Sequence, residues 1–344
     1  MLHTLIVGLG RSGRGLHAPS LAKARAAARG LFAPGPVLGH DPHRAGAEGV
    51  TAVDSLEEAA RRRPPRSTVV HLCTPPHLRA EPLERLARLG YRMVVVEKPL
   101  ALDLAELAAI ARLRRRWGLR LTVATPWTAS TLSARLLAAH RSAAFGRLRT
   151  LTVLQHKPRF TRTLESAGHP TAFDVEVPHA LAVAVALAGD AEVAAAELDD
   201  MAVDGLVLPG LGAARLDLVH HTGVLTRIES DLTAPLRERR IVLEFDGAVL
   251  TGHYPCSEAD HTAQLTVAAR GRGPTRSVFT DDALTAFWRR CYARYARPCH
   301  DLGDLPVHVE AVRLLAEAKG LCAGRARDPE AGHPEQGVGS VVGA

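Results

Sequence analysis

Three glycines near the N-terminus have the spacing of a turn that can hold a phosphate. Gly8, Gly10 and Gly13 follow the apolar segment HTLIV and precede an alanine-rich helical segment, and Arg11 and Ser12 lie between the last two. The first glycine permits a tight turn, the second lets a pyrophosphate approach backbone amides, and the third lets helix and strand pack closely. The spacing predicts a dinucleotide-binding loop; the alternative is the same turn without a ligand.

An acid at the end of the second predicted strand bears on the choice of cofactor. Asp41 ends the segment GPVLGHD at residues 35–41. Its carboxylate would accept a hydrogen bond from the adenosine ribose 2′-hydroxyl and repel a 2′-phosphate, which favours NAD over NADP. Arg44 leaves this choice open, because a nearby arginine can accommodate that phosphate.

One of only four lysines stands where a predicted strand leaves its sheet. The apolar segment YRMVVV is followed by Glu97, Lys98 and Pro99. The lysines of the chain are Lys23, Lys98, Lys157 and Lys319. We expect Pro99 to fix the chain so that Glu97 and Lys98 face the cofactor cleft; a surface cation is the alternative reading of Lys98.

The preceding apolar strand also ends in residues suited to ligand binding. Thr74-Pro75-Pro76-His77 follows it, and open parallel sheets bind ligands at the carboxyl ends of their strands. Thr74, Pro75 and His77 are therefore candidate cofactor contacts, although a purely structural turn explains His77 equally well.

Strands and helices alternate through the first part of the chain. Capping patterns at 55–58 and 103–106 begin two helices, and Gly90 and Gly118 follow the ends of two helices. Alternating short strands and helices predict a doubly wound parallel sheet of the Rossmann type. We assign residues 1–122 to this α/β dinucleotide-binding domain.

The pattern changes in the second part. Segments with period-two alternation, such as 145–156 and 214–267, predict an open, mainly antiparallel sheet, and helical segments occur at 178–189 and 305–320. We assign residues 123–324 to an α+β domain for substrate binding and oligomerisation. Residues 325–344, rich in glycine and proline, are predicted to be a disordered tail.

Composition narrows the class of protein. No apolar stretch approaches the ~20 residues of a membrane span, and the N-terminus has no features of a secretory signal. The cysteines fit neither a disulfide framework nor a zinc site: Cys73, Cys256, Cys291, Cys299 and Cys322. The net charge is +7, but its arginine clusters carry no interleaved aromatics. We predict a cytoplasmic protein with reduced thiols, no metal, and no nucleic-acid or membrane partner.

The motifs together resemble the Gfo/Idh/MocA family of sugar dehydrogenases over about residues 2–320. G-x-G-x-x-G at 8–13, T-P-x-x at 74–77, E-K-P at 97–99 and FGRLRTLTV at 145–153 occur in the family's order. The resemblance implies a Rossmann domain followed by an open sheet that holds substrate against the nicotinamide. It places Lys98 beside the ring and the reacting hydroxyl, often next to a cis proline bond.

The resemblance also implies a histidine ten residues before a glycine, and His179 stands ten before Gly189. The family's aspartate four residues before that histidine is replaced by Val175, flanked by Asp174 and Glu176. If the segment is helical, Glu176 shares a face with His179 at i, i+3, and we favour Glu176 as the supporting acid; the alternative is that Pro178 marks the first turn of the helix. A second departure is Arg79, where the family commonly has histidine.

These roles imply oxidation of a secondary alcohol. His179 is a suitable base for the hydroxyl proton, and Lys98 can stabilise the developing negative charge. Trp127 is a candidate to stack on a sugar ring, with core packing as the alternative. His179 as a structural core histidine is the competing interpretation of that residue.

E-x-P-H at 176–179 and GHYP at 252–255 resemble the antibiotic-pathway branch of the family. They imply oxidation of the C3″ hydroxyl of an aminoglycoside intermediate before transamination, with Asp174 and Glu176 holding an amino-sugar cation. The net charge instead fits a nucleotide-linked or phosphorylated sugar, and an inositol is a further alternative. A non-catalytic dinucleotide sensor and a nucleic-acid-binding protein are the rival classes. A homodimer or homotetramer is expected.

Overall fold

The computed structural model describes most of the chain. The described residues are 1–44, 46–165, 168–257, 259–297 and 302–327.

Six parallel strands form the first sheet, in the order β3-β2-β1-β4-β5-β6. Their bounds are β1 His3–Val7, β2 Val37–His40, β3 Val50–Ala52, β4 Thr68–Leu72, β5 Met93–Glu97 and β6 Arg120–Ala124. The strands are nearly continuous apolar runs because helices cover both faces. This sheet confirms the predicted doubly wound α/β fold.

The helices of this part of the chain are α1 Ala18–Ala27, α2 Leu56–Arg62, α3 Ala80–Arg88, α4 Leu104–Trp117 and, after β6, α5 Thr131–Arg141. The first four begin and end largely where local sequence predicts. The side chain of Ser55 accepts a hydrogen bond from the backbone N–H of Glu58, and Asp103 caps α4 in the same way. A π-helical turn, Gly13–His17, precedes α1.

Eight strands form the second sheet, in the order β16-β15-β14-β13-β7-β12-β11-β8. Its strands, with the separate β9–β10 hairpin, are β7 Leu148–His156, β8 Ala191–Leu198, β9 Met201–Val203, β10 Leu206–Leu208, β11 Ala213–His220, β12 Leu225–Asp231, β13 Glu238–Phe245, β14 Ala248–His253, β15 Thr262–Ala269 and β16 Thr275–Thr280. Only β7 and β12 pair in parallel within this sheet. The mainly antiparallel sheet predicted for the second part is confirmed.

The remaining helices pack on both sheets. They are α6 Phe160–Glu165, α7 Val177–Ala188, α8 Ala283–Tyr295 and α9 Leu305–Arg327. Almost every residue of α7 is buried, and α7 lies with α9 in the core beneath the second sheet. The alternating burial of strands such as β7 leaves the opposite face of that sheet more exposed.

Near its end the chain returns to the first domain. Trp288 and Tyr292 of α8 are fully buried against the first sheet, and Val312 of α9 packs beside α4 residues. Several elements were not predicted from the sequence, among them β3, α5, α6, β8, β16, the β9–β10 hairpin and α8. The three-residue β3 carries too little pattern, and α8 owes its burial to a partner far away along the chain.

The assigned domain limits stay a prediction. β6 extends to Ala124, and α9 runs to Arg327, three residues into the predicted tail. Residues 328–344 and Cys299 lie outside the described residues. No helix in the described part of the chain is both long and apolar enough to cross a bilayer.

Trp288 is the main anchor of α8. Its indole N–H donates to Ser20 Oγ at 2.7 Å, and its ring lies against His17 and His71. We expect Trp288→Ala to lower the free energy of unfolding by about 3–5 kcal/mol because it leaves a large cavity. Trp288→Phe should cost clearly less, since it keeps most of the ring. Urea denaturation measures both, and equal losses would contradict this account.

Candidate active site

The glycine loop has the shape of a cradle. Gly8 adopts φ +92°, and a Cβ added to Gly13 would lie 2.0 Å from the Gly8 carbonyl oxygen. A Cβ added to Gly10 would meet nothing within 4 Å. Thus Gly8 and Gly13 are needed by the backbone itself, whereas the space over Gly10 is open to a ligand.

Asp41 is fixed at the end of β2 beside this loop. Its carboxylate oxygens accept hydrogen bonds from Leu9 N at 2.7 Å and His43 N at 2.8 Å. The carboxylate therefore ties the loop to β2 and brings a negative charge to this edge of the sheet. Arg44 is exposed.

The turn after β4 adjoins the loop. The backbone N–H of Cys73 donates to Val7 O at 2.8 Å, which places Thr74 next to Gly8. Thr74 Oγ1 is buried and has no hydrogen-bond partner among the described residues, so it is free for a ligand. Pro75 and His77 are exposed on the same turn.

Glu97, at the end of β5, is held from the opposite side by the loop. Ser12 Oγ donates to Glu97 Oε1 at 2.5 Å, and His17 Nε2 lies 2.7 Å from the same oxygen. Burial alone would raise the pKa of Glu97, but His17 and Ser12 hold it well below its usual value. His17 reaches Glu97 from the π-helical turn and also contacts His71 at 3.0 Å.

Lys98 points from the first domain toward the second. The Lys98–Pro99 peptide bond is cis, as the resemblance implies, and the lysine ammonium donates to the carbonyl of Val175. Burial lowers the pKa of Lys98, and Glu176 and Glu97 oppose that shift. The carbonyls of Pro99 and Leu100 accept hydrogen bonds from the fully buried guanidinium of Arg79, which holds this turn in place.

Glu176 is a buried carboxylate between the second sheet and α7. Its oxygens accept from Gln155 Nε2 at 2.5 Å and from Lys157 Nζ at 2.7 Å. Burial alone would raise the pKa of Glu176, but Lys157 and Lys98 hold it well below its usual value. The carboxylate is therefore ionised and already paired.

His179 lies in the first turn of α7, one residue after Pro178. Its Nδ1 has no hydrogen-bond partner in the described part of the chain. Burial, followed by the positive charge of Lys98, lowers the pKa of His179 to about 3, so the imidazole is neutral at pH 7. Trp127 stacks on one side of it, with ring centroids 6.0 Å apart, and Trp127 in turn stacks on Tyr254.

The structure does not bring Asp174 to this group. Its side chain is fully buried, and its oxygens accept from Thr171 Oγ1 at 2.8 Å and Lys319 Nζ at 3.0 Å. Asp174 thus anchors the turn before α7 to α9 and has no surface for a sugar. Of the two acids that the sequence leaves open, only Glu176 is near both Lys98 and His179.

Sequence reasoning missed His17, Gln155 and Lys157. Lys157 could have been found from the sequence, because it is one of only four lysines in the chain. His17 and Gln155 carry no such signal. Their roles follow from contacts with residues 80 and 21 positions away.

The N-terminal domain matches a known family. Residues 2–125 match the Gfo/Idh/MocA model, described as an oxidoreductase family with an NAD-binding Rossmann fold. No curated protein sequence matches the chain.

Solved structures share the whole two-domain fold. An NAD binding oxidoreductase from Klebsiella pneumoniae superposes with a TM-score of 0.77 at 16% identity, over 94% of this chain and 97% of that one. A UDP-N-acetylglucosamine 3-dehydrogenase from Acidithiobacillus ferrooxidans gives 0.72 at 20% identity, over 94% and 99%. A 3-ketoreductase from Actinomadura kijaniata, in complex with TDP-benzene and NADP, gives 0.72 at 15% identity, over 93% and 98%.

The glycine loop yields a matched pair of predictions. We expect Gly10→Ala to weaken dinucleotide binding at least about tenfold with little change in stability, because the methyl group fills only the open space. Gly13→Ala should instead lower the thermal midpoint, because its methyl group meets the Gly8 carbonyl. Titration calorimetry with NAD and thermal unfolding separate the two effects. Unchanged NAD affinity in Gly10→Ala would show that the phosphates bind elsewhere.

Proposed function

Because residues 2–125 match the model of the Gfo/Idh/MocA oxidoreductase family with its NAD-binding Rossmann fold, we propose that the protein oxidises a secondary hydroxyl of a sugar to a ketone. The observation that carries the proposal is the convergence of Lys98 and His179 on one cleft beside the glycine loop.

The loop residues fit a dinucleotide. The open space over Gly10 suits a pyrophosphate, and the unpartnered Thr74 Oγ1 can hydrogen-bond to the bound molecule. Arg11 and Ser12 belong to the same loop, and Pro75, His77 and Glu97 border it. The fixed negative charge of Asp41 favours a ribose 2′-hydroxyl over a 2′-phosphate, so we propose NAD rather than NADP.

When bound, the nicotinamide supplies the hydride acceptor for the carbon that carries the hydroxyl. The neutral His179 accepts the hydroxyl proton as general base. The Lys98 ammonium donates a hydrogen bond to the same oxygen and stabilises its developing negative charge. Trp127 offers an apolar surface behind His179.

Glu176 acts in this scheme as a positioning residue. Its carboxylate is held by Gln155 and Lys157, and its negative charge favours the protonated form of Lys98. The ammonium that stabilises the alkoxide is thereby kept charged despite its burial.

The aminoglycoside assignment remains the finer hypothesis. It requires carboxylates that are free to hold an amino-sugar cation, but Glu176 is paired with Lys157, and Asp174 with Lys319. These contacts weaken the case for a polycation and leave a nucleotide-linked or phosphorylated sugar as the better supported substrate class. A homodimer or homotetramer, which size-exclusion chromatography would measure, also stays a prediction.

A substrate panel tests the function directly. NADH formation at 340 nm would be followed with aminoglycoside intermediates, nucleotide sugars, sugar phosphates, neutral sugars and inositols, each with NAD and with NADP. We expect turnover with a sugar and NAD. No NADH formation with any substrate, together with intact NAD binding, would favour a non-catalytic sensor. Binding to duplex DNA with a steep salt dependence would favour a nucleic-acid-binding protein.

Lys98→Ala is the sharpest single variant. We expect turnover to fall at least about 100-fold, because the alkoxide loses its stabilising ammonium, while the affinity for NAD changes little. Lys23→Ala, at an exposed lysine on α1, serves as the control and should behave like the wild type. Wild-type turnover in Lys98→Ala would remove this residue from the reaction.

The lowered pKa of His179 predicts an unusual pH profile. A base with a pKa of about 3 stays neutral down to that pH, so kcat/KM for alcohol oxidation should change less than about twofold between pH 7.5 and 5.5. An ordinary histidine with a pKa of about 6.5 would lose about tenfold in kcat/KM over that range. His179→Asn should be slower at every pH. A tenfold fall in kcat/KM between pH 7.5 and 5.5 that is absent in His179→Asn would contradict the lowered pKa.

A further inference from the structure

A buried arginine, Arg159, lies within the electrostatic reach of the Glu176 carboxylate but forms no ion pair with it. Arg159 is only 6% exposed, and its Nε has no hydrogen-bond partner among the described residues. Among those described residues, no carboxylate forms an ion pair with the Arg159 guanidinium. A buried charge without a partner is costly, so a guanidinium in this position indicates that something else neutralises it.

The second sheet fixes where this side chain lies. Lys157 N donates to Asp231 O at 2.8 Å, and Arg159 N donates to Leu232 O at 2.9 Å, which extends the pairing of β7 and β12 beyond His156. Residues 155, 157 and 159 alternate with the intervening positions along this extension. Gln155 and Lys157 contact Glu176, and Arg159 continues the row toward α6.

Two further arginines lie near Arg159. Arg162 on α6 repels the Arg159 guanidinium, and Arg11 of the glycine loop repels both. The charge of Arg159 also helps to lower the pKa of His169, whose imidazole is neutral at pH 7. Burial, and then repulsion by Arg162, lowers the pKa of Arg159 to about 10, so it remains charged at pH 7. Neither Arg162 nor Arg11 has an ion pair within the described ranges.

The nearby acids offset this positive charge only in part, because both are already held by other residues. Glu176 is held by Lys157 and Gln155, and Glu97 is held by His17 and Ser12. Two further buried polar atoms on this side of the cleft lack partners among the described residues, Thr163 Oγ1 and His169 Nδ1. The region therefore offers several donors and an excess of positive charge, which is the chemistry that binds phosphate.

We propose that Arg159 and Arg162 form a subsite for the phosphate or diphosphate group of a sugar substrate, whose hydroxyl then reaches Lys98 and His179. This inference rests on the proposed function, and it names the substrate class as a phosphorylated or nucleotide-linked sugar. Arg11, which belongs to the glycine loop, is left to the diphosphate of the cofactor. The planar guanidinium fork suits a phosphate better than a lysine would.

The test measures sugar and cofactor separately. Arg159→Gln and Arg162→Gln would be compared with Arg272→Gln, at an exposed arginine in the turn between β15 and β16. The probes are UDP-glucose, glucose 1-phosphate, neutral methyl glucoside and a pseudotrisaccharide aminoglycoside. For each, KM and kcat come from NADH formation, and Kd comes from calorimetry with NAD present.

For any phosphate-bearing sugar that the enzyme accepts, we expect KM and Kd to rise at least about tenfold in each variant. This is the effect of losing one charge-assisted contact. The kcat value and the affinity for NAD should change less than about threefold. Arg159→Lys keeps the charge and should recover part of the affinity, which guards against a folding defect in the buried glutamine variant. If only the KM and Kd for UDP-glucose rise in the variants, the subsite binds a diphosphate. If those for glucose 1-phosphate rise, it binds a monophosphate. Either result supports the subsite.

Other results separate the two proposals. Arginine-dependent binding of UDP-glucose without turnover of any probe would support the subsite and overturn the proposed oxidation. Turnover of methyl glucoside or the aminoglycoside, with no effect of either arginine variant, would support the oxidation and overturn the subsite. A weaker affinity for NAD with an unchanged sugar KM would assign these arginines to the cofactor and overturn the subsite as well.

Discussion

Three lysines hold three consecutive residues in front of the helix that carries His179. Lys319 on α9 pairs with Asp174, Lys98 after β5 donates to the carbonyl of Val175, and Lys157 after β7 pairs with Glu176. Each lysine comes from a different part of the fold. The turn at 174–176 is therefore fixed from the first sheet, the second sheet and the last helix at once, and the position of His179 depends on all three.

This arrangement explains why the chain crosses back to its first domain. α9 lies in the core beneath the second sheet through residues such as Leu314 and also packs on the first domain through Val312. Helix α9 thereby places Lys319 beside the turn at 174–176. The Lys319 ammonium also donates a hydrogen bond to Leu102 O at 2.7 Å. A site built at the junction of two sheets needs such a third element, because neither domain alone fixes the distance between the glycine loop and α7.

Local rules were sufficient for much of the first domain and for the glycine loop. The caps at Ser55 and Asp103 depend on residues three positions away, so they can be read directly from the sequence. The partners of Glu176 and Asp174 could not be read in this way. Both acids lie next to Val175 and look equivalent in sequence, but one faces the cleft and the other faces α9. Only the packing of distant elements distinguishes them.

That distinction also reverses an electrostatic expectation. Acids beside the reacting groups suggest affinity for a cationic sugar, and local carboxylates normally outweigh a diffuse charge screened by salt. Here the two acids in question, Asp174 and Glu176, are each paired with a lysine of the chain, and pairing cancels most of their field. The guanidinium of Arg159, by contrast, has no ion-pair partner among the described residues, and it is buried and therefore weakly screened. The local and the overall charge of the protein then act in the same direction, and both favour an anionic ligand.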